Sequence, residues 1–205
     1  FPSDFDEGYK LFIGVVGAGG DVYQVTSGAA YDLNAGTDII SLDLIGETGN
    51  TQLLAGAAGS AQIYLSTDGG SNWVVSDKQP TGGSKTYVLM APGFISSGKA
   101  YAATSGIESA FSYTTDGGVT WSQLSLIDTE INNIVDLALS PNYSRDNTLF
   151  MLTLGSEHSL WRSLNSSPAW ERVFTTTLAN VDSVTLVELS PQYGSASQVV
   201  FLAGI

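Results

Sequence analysis

Apolar residues in this chain come in short runs, never long ones. Leu11–Val16, Val22–Val25, Ile39–Leu44, Ile63–Leu65, Leu149–Leu154 and Val199–Ala203 are rich in Val, Ile, Leu, Tyr and Phe. Gly, Ser, Asn and Asp punctuate them. Runs of this length bounded by turn residues predict strands. One segment competes: Ile131, Ile134, Val135 and Ala138 have helical spacing, and Asp128 with Glu130 could start a helix. The same stretch from Ile134 to Leu139 also reads as a strand, and the internal repeat favours that reading. The pattern predicts an all-β chain.

The stronger signal is internal repetition. Trp73, Trp121 and Trp170 are 48 and 49 residues apart, and Pro92, Pro141 and Pro191 are 49 and 50 apart. Pro2 lies 90 residues before Pro92, about two repeats. Each proline opens a similar phrase, with an aromatic close behind it (Phe5, Phe94, Tyr143, Tyr193) and another further on (Phe12, Tyr101, Phe150, Phe201). An all-β repeat near 48 residues predicts β-propeller blades of four antiparallel strands. The repeat at 134–175 sets the phase: strands at Ile134–Leu139, Thr148–Leu154, Ser159–Arg162 and Ala169–Phe174. Applied throughout, it gives a partial blade at 1–35, blades at about 38–78, 86–127 and 134–175, and a partial blade at 183–205. Both ends fall on a second strand, so the expectation is a portion of a larger propeller. Phe1 in place of an initiator methionine suits a processed chain or a piece of a longer one.

Within the repeat lies an eight-residue turn. Ser66-Thr-Asp68-Gly-Gly70-Ser-Asn-Trp73 and Thr114-Thr-Asp116-Gly-Gly118-Val-Thr-Trp121 share hydroxyl, any, Asp, Gly, Gly, any, polar, Trp. Ser163, Asn165 and Trp170 mark an eroded third copy, and Thr26–Tyr31 is a candidate shortened fourth. An Asp in such a turn accepts backbone N–H groups, two glycines permit positive φ, and the Trp anchors the hairpin by burying a large apolar face. The two sharp turns resemble the Asp-box, or BNR, repeats of sialidase-like β-propellers. Similar turns occur in sortilin-type receptors, xyloglucan-degrading glycoside hydrolases and photosystem assembly-factor propellers. The resemblance implies that the boxes lie on the periphery and that Asp68 and Asp116 are structural, because an Asp there satisfies its own backbone. It implies no single function, since the fold carries enzymes and binding modules alike.

Composition narrows the function classes. There is no cysteine, hence no disulfide framework and no thiolate metal site. A single histidine, His158, excludes a multi-histidine centre within these residues. With 20 acidic against 7 basic side chains the formal charge is −13, which disfavours nucleic-acid phosphates as partners. No apolar run approaches the length of a membrane helix.

The candidate catalytic groups are carboxylates. A sialidase would need three arginines from different blades, whereas Arg145, Arg162 and Arg172 all fall in one repeat. Asp43, Asp136 and Glu188 lie on expected inner strands, where a pair could be catalytic, bind a cation or line a wet channel. Asp38 is a further acid near such a strand. Asp4, Asp6 and Glu7 cluster in a turn, either as calcium-type oxygen ligands or as a solvated turn. His158 reads as an exposed loop residue. Asn142 and Asn165 head matches to the N-glycosylation acceptor pattern. The loops Ser76–Lys85 and Leu126–Asn133 would carry recognition.

The expected function is a non-enzymatic, extracellular or cell-surface propeller that binds a protein or glycan partner, or contributes to a surface assembly. No catalytic residue, metal or cofactor is assigned. The alternative is a glycoside hydrolase fragment whose catalytic carboxylates lie partly outside these 205 residues. An intracellular assembly chaperone would be expected to show a basic patch, and Lys78, Lys85 and Lys99 are dispersed.

Overall fold

Short β-rich runs closed by tight turns can only pair with their neighbours in sequence, and the chain does this repeatedly. The computed structural model describes residues 1–5, 10–106, 108–126, 133–164, 169–176, 181–194 and 197–205. They divide into two compact units, Phe1–Leu126 and Ile127–Ile205.

In the first unit, β1 (Lys10–Gly14), β2 (Val22–Thr26) and β3 (Ala29–Asp32) form a three-stranded antiparallel sheet. Four-stranded meanders follow: β4 (Ile39–Glu47), β5 (Asn50–Ala57), β6 (Ile63–Ser66) and β7 (Val74–Val75), then β8 (Thr86–Met90), β9 (Ala100–Thr104), β10 (Ala110–Thr114) and β11 (Ser122–Leu126). The second unit holds one more four-stranded sheet, β12 (Asn133–Leu139), β13 (Leu149–Leu154), β14 (His158–Ser163) and β15 (Glu171–Thr176). A two-stranded sheet, β16 (Val184–Leu189) and β17 (Val200–Gly204), follows it. The segment with competing helical spacing is a strand over Asn133–Leu139.

Within each unit the apolar layers lie between consecutive sheets. Leu54 and Ile63 of one meander pack with Val88, Met90 and Trp121 of the next. In the second unit Phe150, Leu152 and Leu160 pack with Val187 and Tyr193. A strand has two faces, so a stack of sheets buries both, and the runs need not alternate strictly.

The proline phrase is the link from first to second strand. Phe94 opens a one-turn helix, α1 (Phe94–Ser97), and Tyr143 opens α2 (Tyr143–Asp146). The N–H groups of Phe94, Tyr143 and Tyr193 donate to the carbonyls of Ala91, Ser140 and Ser190, three residues back. Phe5 N–H donates to Pro2 in the same way, so Pro2 stands one place earlier in its turn than the other prolines. Phe94, Tyr143 and Tyr193 are buried, which explains why an aromatic recurs there.

Candidate functional site

The two sharp turns fold into the same hydrogen-bond network. In the first, Ser66 Oγ donates to Asp68 Oδ1 at 2.9 Å and accepts Gly70 N–H at 2.8 Å. Asp68 Oδ1 also accepts Asn72 N–H at 2.9 Å, and Oδ2 accepts Asn72 Nδ2 at 2.7 Å. In the second, Thr114 Oγ1 donates to Asp116 Oδ1 at 2.7 Å and accepts Gly118 N–H at 3.1 Å. Asp116 accepts Thr120 N–H at 3.0 Å and Thr120 Oγ1 at 2.5 Å. The partial desolvation of Asp116 would raise its pKa, but the hydroxyls of Thr114 and Thr120 and the N–H groups of Thr120 and Val119 prevail, holding it down at about 2. Asp68 is likewise lowered, first by the Asn72 side chain and then by Asn72 N–H and Ser66. Both carboxylates are therefore fixed as internal acceptors.

The other two copies differ. Ser163 is buried at the end of β14 and Trp170 is half-buried, while Asn165 lies outside the described residues. Thr26–Tyr31 is not a copy of this turn: a two-residue hairpin joins β2 to β3, with positive φ at Ser27 (51°) and Gly28 (79°). That is the primed geometry that matches strand twist and needs no Asp.

Each turn is strapped by the loop leaving the preceding sheet. Asp77 N–H donates to Val119 O, Trp121 N–H donates to Lys78 O, and Ser76 Oγ donates to Gly118 O at 2.7 Å. Trp121 Nε1 donates to both Ser76 Oγ and Gly118 O, and the ring is buried. The first residues of the loop beginning at Ser76 thus form a clasp between sheets. In the preceding turn Leu33 takes the equivalent place: Trp73 Nε1 donates to Leu33 O at 3.0 Å. Gly70 has φ +89°, which favours glycine, and a Cβ there would press on Leu33 Cδ1. This strap is thinner, and Trp73 is only half-buried where Trp121 is 1% exposed. An open groove of about 390 Å³ remains beside Trp73, walled by Tyr64, Val75, Asn34, Ser71 and Asn72.

The acids expected on inner strands serve the backbone. Asp43 on β4 accepts Leu44 N–H at 2.8 Å and, from the next sheet, Met90 N–H at 2.6 Å. Two residues earlier, Ser41 Oγ accepts Val88 N–H at 3.1 Å. Alternate residues on a strand share a face, so Ser41 and Asp43 make a side-chain ladder along β8. Asp136 on β12 repeats the arrangement, accepting Leu137 N–H and Val187 N–H, each at 2.9 Å. Burial pushes Asp43 above the usual carboxylate range despite the N–H groups of Met90 and Leu44. Asp136 is raised by burial first and then by the charge of Glu188, which is exposed on β16.

Other candidates resolve individually. Asp38 Oδ2 accepts Gly17 N–H at 3.1 Å. Asp4 caps the β4–β5 hairpin through Thr48 N–H and Oγ1, and the Thr48 hydroxyl leads in lowering it. Asp6 and Glu7 lie outside the described residues. His158 is buried, contrary to its reading as an exposed loop residue: Nε2 accepts Val184 N–H at 3.0 Å, which pins β16 to β14. Asn142, heading a glycosylation pattern, donates its Nδ2 to Tyr193 O. Arg162 pairs with Glu171 at 2.8 Å, and Arg172 lies over the Trp161 ring at 4.8 Å. Among the described residues no group of three or more His, Asp or Glu could hold a metal ion.

Sequence reading missed Ser41, Asp21 and the strap. Asp21 is buried and accepts Val22, Ala35 and Gly36 N–H groups, which shapes the exit from the first sheet. No motif marks it. The Ser41-x-Asp43 alternation was the one available signal for the ladder.

The chain matches no protein-family profile and no curated protein sequence. Solved structures do resemble it. An ancestral GH74 enzyme aligns with TM-score 0.60 and 17% identity over 80% of this chain and 24% of that one. A GH74 enzyme of Niastella koreensis aligns with TM-score 0.61 and 17% identity, covering 89% and 30%. YCF48 bound to D1 peptide aligns with TM-score 0.58 and 17% identity, covering 89% and 54%. The chain has the β-propeller fold. It spans from about a quarter to about half the length of these structures, and at this identity the likeness concerns the fold alone.

Proposed function

We propose that this chain is a stretch of Asp-box β-propeller that acts by binding a protein or glycan partner, outside the cell or at its surface, and not by catalysis. The observation that carries the reading is the use made of its acids. Asp43 and Asp136 each accept two backbone N–H groups, one from the neighbouring sheet. A general base must instead face a substrate proton within hydrogen-bond reach. Asp68 and Asp116 are similarly engaged within their turns.

One observation favours the alternative, part of a glycoside hydrolase. Asp136 and Glu188 interact, with Asp136 raised and Glu188 exposed. Two carboxyl groups close enough to interact are the starting requirement of an acid–base pair. The test is incubation of the chain with neutral β-glucans, assayed for new reducing ends, beside Glu188→Gln. Turnover that disappears in Glu188→Gln would establish the hydrolase and remove the binding-only reading. No new reducing ends from either protein is the expected result.

A further inference from the structure

The groove beside Trp73 has a chemistry of its own. We infer that it is a binding site for a neutral oligosaccharide, a specific form of the binding function proposed above and dependent on it. Trp73 and Tyr64 are half-buried, packed against the layer of Val22, Ile39 and Ala55, and both line the groove. Tyr64 stands opposite Val75 in the β6–β7 register, Trp73 immediately precedes β7, and all three line the groove. Flat apolar surfaces at an open wall stack against the C–H faces of a sugar ring.

The hydrogen-bonding groups of the wall are already partly used. Tyr64 Oη donates to Gln62 Oε1, and Asn34 Nδ2 donates to Asp32 O. Asn72 Nδ2 donates to Asp68 Oδ2, Ser71 Oγ donates to Asp68 O, and Trp73 Nε1 donates to Leu33 O. The hydroxyls of Tyr64 and Ser71, the Trp73 indole N–H and one N–H of each carboxamide are committed inward, leaving the second Nδ2–H of Asn34 and of Asn72. Oδ1 of Asn34, Oδ1 of Asn72, Ser71 Oγ and Tyr64 Oη remain as acceptors that face no donor among the described residues. Sugar hydroxyls each donate and accept, so they can meet both these acceptors and the two remaining carboxamide N–H groups. The two-residue β7 is too short an edge for strand addition.

Charge selects further. No lining residue is charged, the carboxylate of Asp68 lies directly behind Asn72, and the whole chain carries −13. Sialic or uronic acid groups would be repelled. The volume, about 390 Å³, falls in the range of roughly 300–1,000 Å³ seen for small-molecule sites. At the second turn Trp121, at the same motif position, is strapped by Ser76 and Lys78 and is buried.

The test is isothermal titration calorimetry of the full chain with short neutral oligosaccharides of gluco, manno and xylo configuration. Uronic-acid and sialylated oligosaccharides, short neutral peptides and calcium chloride alone serve as competitors. At least one neutral oligosaccharide should saturate. Trp73→Ala should weaken it by about tenfold, of the order of one aromatic contact, and Trp73→Phe by no more than about threefold. Asn34→Gly keeps the positive φ of 53° while removing the carboxamide, so it should lower affinity about threefold in a chain of unchanged melting temperature. Because Asn34 is exposed, that variant reports even where Trp73→Ala unfolds. Undiminished binding in Asn34→Gly and Trp73→Phe with full retention in Trp73→Ala would overturn the groove and leave the binding reading standing. Preference for an acidic sugar, a peptide or calcium would overturn it as well. Absence of any saccharide binding removes the inference while a protein partner still satisfies the proposed function, and turnover would defeat that function itself.

Discussion

The side-chain ladder between first strands allows a quantitative test at Asp43. Replacing it by Ala removes the acceptor of Met90 N–H, now at 2.6 Å, from a residue that is 5% exposed. An orphaned buried amide costs about 1–3 kcal/mol. Relief of a desolvated carboxylate offsets part of this, so a net loss of about 1–2 kcal/mol is expected. For a chain of this size that lowers the melting temperature by roughly 2–8 °C. Asp43→Asn keeps one acceptor but turns an NH2 toward an N–H, so it should lose about as much as Ala. The pH dependence carries the sharper signature. The folded-state value of Asp43 is raised, so the native state binds the proton more tightly than the unfolded chain. Wild-type stability relative to Asp43→Asn should therefore grow as pH falls through that raised value, and level off below the unfolded value of 3.8. Urea denaturation of both proteins from pH 7 down to pH 3 measures it. A difference that shrinks on acidification would refute the reasoning, as would equal stability of wild type and Asp43→Ala at neutral pH.

Asp116 should behave in the opposite sense. Held at about 2, it contributes stability above the unfolded value of 3.8 that is lost as pH falls toward 2, so Asp116→Asn should flatten the acid limb of a denaturation curve. His158→Ala should orphan the buried N–H of Val184 and destabilise the second unit by about 1–3 kcal/mol, with faster hydrogen exchange at that amide as the direct readout. Gly70→Ala combines positive φ with displacement of Leu33, so a loss of about 1–2 kcal/mol and a changed emission from Trp73 are expected in chemical denaturation followed by fluorescence.

The local chemistry was legible in the amino-acid sequence because it is short-range. Strand, turn and period follow from apolar runs, from Asp-Gly-Gly and from the recurrence of proline, aromatic and Trp near 48 residues, since each repeat must satisfy its own hairpins. The all-β propeller follows from those features, and the hydroxyl–Asp–Gly geometry of Ser66–Gly70 and Thr114–Gly118 involves contacts no more than four residues apart. What tertiary structure decided is everything that crosses between sheets. Nothing in the spacing distinguishes Trp73 from Trp121, yet Ser76 seals one and Leu33 only half covers the other. Nor does the sequence reveal that Asp43 faces Met90, 47 residues away, or that His158 faces Val184. The same acidic or aromatic residue can be solvated, buried or part of a binding wall, and which one depends on the strand that packs against it.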